Sequence, residues 1–196
     1  MEKVLFVNCC IRGEKSRTLE LCRDYLEKLK KAWPEWEVTE VDLNREELRP
    51  LDQAALFHRD ALVKEKKFDD PMFTYTRQLM EADHIVIGAP YWDLAFPSRL
   101  KVYLEYCSVT GLTFVYNQYG IPEGQCRARS LTYITSSGGK IGELNFGYDY
   151  IKGICLLFGI PRTFFASAEE LDIVGNDVAK LVDAAKEKIT EIVKEL

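Results

Sequence analysis

Hydrophobic positions change their period along the chain, and each change marks an element. Val4–Val7 is an unbroken apolar run, the pattern of a strand buried on both faces of a parallel sheet. From Thr18 to Lys31, Leu19, Cys22, Leu26 and Leu29 recur on one helical face, with Arg23, Glu27 and Lys30 opposite. Glu37–Leu43 alternates like a strand. Residues 44–70 are polar and irregular apart from a helix predicted over about Asp52–Lys66, and Pro71 opens another helix that runs to about Ala82. His84–Gly88 is the second continuous apolar strand, and it stops at Ala89-Pro90 before an aromatic turn. A helix over about Pro97–Thr110 follows, with Leu100, Tyr103, Leu104 and Cys107 inward; residues 111–129 read as a long excursion. Leu131–Ser136 is a strand that ends in Ser137-Gly138-Gly139. The chain closes with a helix (Phe146–Phe158), a strand (Arg162–Ala168) and a helix (Asp177–Glu195) whose inner face carries Val178, Leu181, Val182, Ala185, Ile189 and Ile192.

Strands alternating with helices predict a parallel sheet covered on both faces. No linker or repeat interrupts the pattern, so residues 1–196 read as a single domain. Five such strands suit a flavodoxin-like three-layer α/β/α sandwich with strand order 2-1-3-4-5. In that topology a ligand sits outside the carboxyl ends of the strands, at the switch between strands 1 and 3.

Charge narrows the partners. The net charge is −5 and the basic residues are interspersed with acids, as in KEKK at 64–67 beside Asp69 and Asp70, which speaks against a nucleic-acid or membrane-surface footprint. No apolar run is long enough to span a bilayer, and MEKVLFV reads as a strand rather than a signal peptide, so the expected location is the cytoplasm. The six cysteines (9, 10, 22, 107, 126, 155) form no CxxC pair, and His58 and His84 are far apart, which gives a metal site little material.

The loops at the carboxyl ends of strands 1, 3 and 4 are CCIRGEKSRT, APYWDLAFP and TSSGGK. The first enters its helix through Ser16, Arg17 and Thr18; a helix N-terminus offers free N–H groups to phosphate, and these side chains add two hydroxyls and a cation. The same residues also suit an ordinary helix cap. The second places Pro90, Tyr91, Trp92, Asp93, Leu94 and Phe96 where a flat, mostly apolar ring with a polar edge would find both kinds of contact. The third, Ser136-Ser137-Gly138-Gly139, lets backbone approach a ligand closely. There is no GxGxxG and no GxxxxGK[ST], which argues against a Rossmann dinucleotide site and a P-loop.

With these motifs in place, the chain resembles the FMN-dependent NADH:quinone oxidoreductase and azoreductase family over nearly its whole length. The resemblance rests on Ser16-Arg17-Thr18, the turn Pro90–Leu94, GLTFVYNQYGIPEG (Gly111–Gly124), the turn Ser136–Gly139 and FGI before the last strand. It implies FMN as cofactor, with its phosphate in the first loop and its ring against the other two. It implies NADH or NADPH as electron donor, a small planar acceptor such as a quinone or azo compound, Tyr116 near the substrate side of the flavin, and a homodimer. Because the flavin carries the chemistry, donor and acceptor would use one open face in turn by ping-pong hydride transfer, and no catalytic side chain is assigned.

Two departures from the family pattern bear on the site. Where the family's first loop usually has serine, this chain has Cys9 and Cys10, and a thiol is the poorer donor. Neighbours on a strand point to opposite faces, so the favoured reading has Cys9 lining the phosphate loop and Cys10 packing. The turn usually read Met-Tyr-Asn-Phe is Tyr91-Trp92-Asp93-Leu94; an aspartate facing the ring would disfavour an anionic reduced flavin and lower its potential, and one facing solvent would do little. Against the oxidoreductase stand two alternatives: a flavodoxin-type electron carrier, and a non-enzymatic flavin-binding or flavin-free regulatory module. The excursions at 44–70 and 111–129 favour an enclosed pocket, and so the enzyme.

Overall fold

The apolar runs become the centre of a parallel sheet. The computed structural model describes residues 1–196. Its strands are β1 (Lys3–Asn8), β2 (Glu37–Asp42), β3 (His84–Gly88), β4 (Phe114–Tyr116), β5 (Pro122–Gly124), β6 (Ser130–Ser136) and β7 (Arg162–Ala168). Five of them form one sheet in the order β2-β1-β3-β6-β7, which is the expected 2-1-3-4-5 once the small β4-β5 pair is set aside. Every pairing in the large sheet is parallel. The helices are α1 (Arg17–Ala32), α2 (Gln53–Lys64), α3 (Thr74–Glu81), α4 (Ser98–Cys107), α5 (Phe146–Phe158) and α6 (Val178–Lys194).

Side-chain alternation divides the interior into two cores. Val4 and Phe6 of β1 face one way and join Val86, Ile134 and Ala166 under α1 and α6. Leu5 and Val7 face the other way and join Ile85, Ile87, Leu131 and Tyr133 under α3, α4 and α5. Each fully buried Leu, Ile or Phe contributes roughly 1.5–3 kcal/mol relative to exposure, so burial on both faces explains the unbroken apolar runs Val4–Val7 of β1 and Ile85–Ile87 of β3. β2 is different. It is an edge strand, largely exposed, and Glu37 and Glu40 blunt an edge that would otherwise invite pairing.

Local chemistry sets the ends of the helices. Ser16 caps α1 by accepting from the Leu19 N–H at 3.2 Å, Asp52 caps α2 through Ala55, Asn145 caps α5, and Asp177 caps α6. The segment expected as one helix from Pro71 to Ala82 is a 3-10 turn (Pro71–Phe73) followed by α3, and the helix expected to reach Thr110 stops at Cys107. The excursion at 111–129 is partly ordered into the β4-β5 hairpin. Gly124 fixes that hairpin to the end of α5, since a Cβ there would lie 2.0 Å from the Phe158 carbonyl carbon. The Cys126 N–H donates to the Phe158 carbonyl at 3.1 Å.

Candidate functional site

Register brings the carboxyl ends of β1, β3 and β6 together: Asn8 pairs with Gly88, and Gly88 with Ile134. The loops that leave these strands are bonded to one another. Thr18 Oγ1 lies 2.7 Å from Ser136 Oγ, which ties the first loop to the third. The Tyr91 N–H donates to the Ser136 carbonyl at 3.0 Å, which ties the second to the third. A cleft of about 300 Å³ opens between them.

Its walls can be read residue by residue. Arg12, Lys15, Ser16, Arg17 and Thr18 come from the first loop and the start of α1; Pro90, Tyr91 and Trp92 from the second loop; Ser136, Ser137 and Gly138 from the third. A fourth wall, Leu171 and Asp172 from the loop after β7, closes the cleft. It is held there by backbone bonds, Leu171 N–H to the Ser137 carbonyl at 3.1 Å and Asp172 N–H to the Gly138 carbonyl at 3.0 Å. Sequence reasoning missed Arg12, Lys15, Leu171 and Asp172 as lining residues. Topology held a signal for the last two, because the strand beside β6 must send its own loop past the Ser-Gly turn.

Three positive side chains and two hydroxyls gather at the N-terminus of a sixteen-residue helix, with one carboxylate, Asp172, among them. That donor set suits a phosphate. The Ser16 oxygen accepts from the Leu19 N–H, so Ser16 is the helix cap, and the cap leaves its hydroxyl proton free to donate. Tyr91 and Trp92 form the apolar side. The Tyr91 hydroxyl donates to the Leu144 carbonyl at 2.9 Å, which holds the ring in place.

Other expected residues stand outside the lining. Asp93 and Leu94 are exposed in a tight turn closed by the Trp92 and Ala95 backbone, and both have positive φ, +48° and +67°. Gly139 follows the turn, with its carbonyl accepting from the Glu170 N–H at 3.2 Å. Tyr116 lies on β4, 58% exposed, edge-on to Phe114.

Cys9 is placed differently from expectation. Its N–H donates to the Gly88 carbonyl at 2.8 Å, so the strand geometry continues past Asn8. The side chain therefore keeps to the core face shared with Leu100 and Tyr133, fully buried and away from the cleft. Burial, with the neighbouring Cys10, pushes its thiol up to about 12, so it is a neutral packing group. Cys10 packs on the opposite face beside Cys22, and its thiol points at the Gly88 carbonyl, 3.6 Å away. The adjacent cysteines do point to opposite faces, but neither lines the site. No cluster of three or more His, Cys, Asp or Glu side chains suited to a metal ion is present.

Known proteins resemble the chain along nearly its whole length. The profile of a family with the flavodoxin-like fold matches residues 2–193. The FMN-dependent NADH:quinone oxidoreductase of Lachnoclostridium phytofermentans is 36% identical over 201 residues, and that of Coprothermobacter proteolyticus 33% identical over 201 residues; each comparison covers 100% of both chains. Among solved structures, azoreductase from Bacillus anthracis str. Sterne superposes with a TM-score of 0.89 at 25% identity, covering 100% of both chains. An FMN-dependent NADH-azoreductase from Bacillus anthracis str. Ames Ancestor, in complex with FMN, superposes with a TM-score of 0.85 at 20% identity, covering 100% of this chain and 99% of that one, a likeness of fold.

Proposed function

We propose a function from the premise that the chain belongs to the flavodoxin-like family of FMN-dependent NADH:quinone oxidoreductases: it is an FMN enzyme that moves reducing equivalents from NADH or NADPH to a quinone, an azo compound or a similar planar acceptor. The observation that carries this reading is a single cleft that joins a cation-rich helix N-terminus to an aromatic turn and a glycine-bearing turn.

The residues present fit FMN. Ser16, Arg17 and Thr18, with Arg12, Lys15 and the first N–H groups of α1, would hold the phosphate. Tyr91 and Trp92 would cover apolar ring surface, and the backbone of Ser137-Gly138 would meet its polar edge. Bound there, FMN supplies redox chemistry that no side chain in the cleft can perform. The protein's part is to anchor one end of the cofactor, keep the ring's orientation fixed and leave one face open. Donor and acceptor would then occupy that face alternately, which gives ping-pong kinetics.

The exposed apolar side chains of the hairpin, Tyr116, Tyr119 and Ile121, support a second copy of the chain covering this region, with Tyr116 near the acceptor. Six free cysteines suit a reducing cytoplasm. No helix is long and apolar enough to cross a membrane.

The deciding experiment is an anaerobic titration of FMN-loaded protein with NADH, then NADPH, following the visible flavin band. Rapid bleaching that menadione or an azo dye reverses is expected. Bound flavin that neither nucleotide bleaches would make the protein an electron carrier or a regulatory module instead.

A further inference from the structure

The fourth wall brings a carboxylate into a cleft otherwise furnished for an anion. Asp172 Oδ1 lies 3.0 Å from Arg17 Nη1, and the same nitrogen donates to the Leu171 carbonyl at 3.2 Å. Asp172 is fixed there by its backbone bond to Gly138. Gly138 also makes the room: a Cβ at that position would stand 2.4 Å from Asp172 Oδ2. The glycine thus serves the carboxylate as well as any ligand. Side chains 41% and 73% exposed make this a solvated pair, of a kind that does little for the fold. Its effect is on the cleft, where it occupies one of three cations.

We propose that Asp172 is a built-in competitor for the cofactor phosphate, a residue that sets FMN affinity by holding Arg17 until a phosphate displaces it. This rests on the FMN reading and deepens it. A phosphate carries about −1.5 to −2 charge and three acceptor oxygens, and it can engage Arg17 and the α1 N-terminus together. A carboxylate of single charge on a neighbouring loop can take only Arg17. Phosphate therefore wins the exchange, but it binds beside the displaced like charge, and that repulsion lowers its affinity. A flavin without phosphate neither needs Arg17 nor meets the repulsion, so the effect falls on FMN and spares riboflavin.

The test uses FMN-loaded and riboflavin-loaded protein. Serial dilution, with the return of free-flavin fluorescence as readout, gives both dissociation constants for wild type, Asp172→Asn, Arg17→Gln and the double variant. The expected result is FMN held roughly fivefold tighter in Asp172→Asn, riboflavin changed less than about twofold, and a gain for FMN that shrinks as salt rises. In the Arg17→Gln background the gain should shrink, because the contest for the guanidinium is gone and only the repulsion between carboxylate and phosphate remains. Equal tightening of both flavins, or of neither, overturns the proposal, and so does weaker FMN binding in Asp172→Asn, which would make the carboxylate a support for Arg17 rather than its competitor. Wild-type protein that holds neither flavin would reject the FMN reading itself. Asp172 is exposed and its cap-free loop is held by backbone, so the asparagine variant keeps the fold.

Discussion

The two ends of the central sheet hold similar stocks of charge and use them in opposite ways. At the amino end the charges close on one another. Asp83 accepts from Arg127 Nε at 3.0 Å and from the Lys3 N–H at 2.8 Å. Buried His84 places Nδ1 2.7 Å from Ser130 Oγ and Nε2 2.8 Å from Glu2, which also pairs with Arg129. The His84 ring stacks on Trp36, which stacks on Trp33, with centroids 4.6 and 4.4 Å apart. At the carboxyl end, Arg12 and Lys15 face the cleft without an ion-pair partner, and Arg17 has Asp172 alone. A polar cluster whose donors and acceptors satisfy each other holds a fold together. One with cations left over, around a concave space, is ready for an anion.

That contrast predicts a double dissociation, and its structural arm is the largest effect expected. Asp83→Ala removes the buried carboxylate that accepts from both the Lys3 N–H and Arg127 and should lower unfolding free energy by about 2 kcal/mol, with FMN affinity of the folded protein changed less than about twofold. Arg17→Gln should do the reverse. It should weaken FMN about tenfold, through one lost charge-assisted contact, and leave stability within about 0.5 kcal/mol. Urea unfolding and flavin fluorescence, measured on both variants, check the pair. If Arg17→Gln destabilised the fold as much as Asp83→Ala, the two ends would not differ in the way proposed.

A smaller effect lies in acid. Burial lowers the His84 pKa below its ordinary 6.5, despite Glu2 nearby. Burial alone would raise the Glu2 carboxyl, but bonds from Arg129 and His84 outweigh it and hold the pKa down; Lys3 and Arg127 do the same for Asp83. For a lowered pKa, the folded state resists the proton that the unfolded state accepts. Stability from His84 is therefore full above about pH 6.5 and is lost as pH falls below it; that from the two acids goes later, below their ordinary range. Unfolding midpoints should drop between pH 7 and 5 in wild type, and drop less in His84→Gln. An identical acid slope in both would remove His84 from the account.

How much of this was legible in the sequence differs between the same two ends. The five strands of the large sheet and α5 could be read because apolar runs or alternation and clear caps leave few alternatives. The three loops could be placed together because parallel topology fixes which ends are neighbours. The β4-β5 hairpin could not, since each strand is three residues long and its stability comes from Gly124 meeting α5 some thirty residues away. Asp172 was hidden for the same reason: its place depends on backbone bonds to Ser137 and Gly138 that carry no side-chain signature. Cys9 was misplaced because the strand-like ladder persists one residue past β1, and that single residue decides which face a side chain takes.

The smallest effect expected probes strain, which also separates the two ends. Of four non-glycine residues at positive φ, Asp93, Leu94 and Glu170 lie in loops at the carboxyl end of the sheet, and the fourth, Lys66, follows α2. Leu94 is the most telling. It has φ +67° in a two-residue turn of the kind that prefers glycine there, and the residue is 44% exposed, so packing repays little of the cost. Leu94→Gly should relieve roughly 1 kcal/mol of backbone strain and return part of it to the unfolded chain's greater freedom, for a net gain of about 0.5 kcal/mol. A gain in stability with weaker FMN binding would mean that the turn is held in a costly shape in order to present Tyr91 and Trp92, the trade expected where strain serves a site. A gain with FMN binding unchanged would mean that the strain is incidental, and that the cations and hydroxyls at the α1 terminus alone distinguish this end of the sheet.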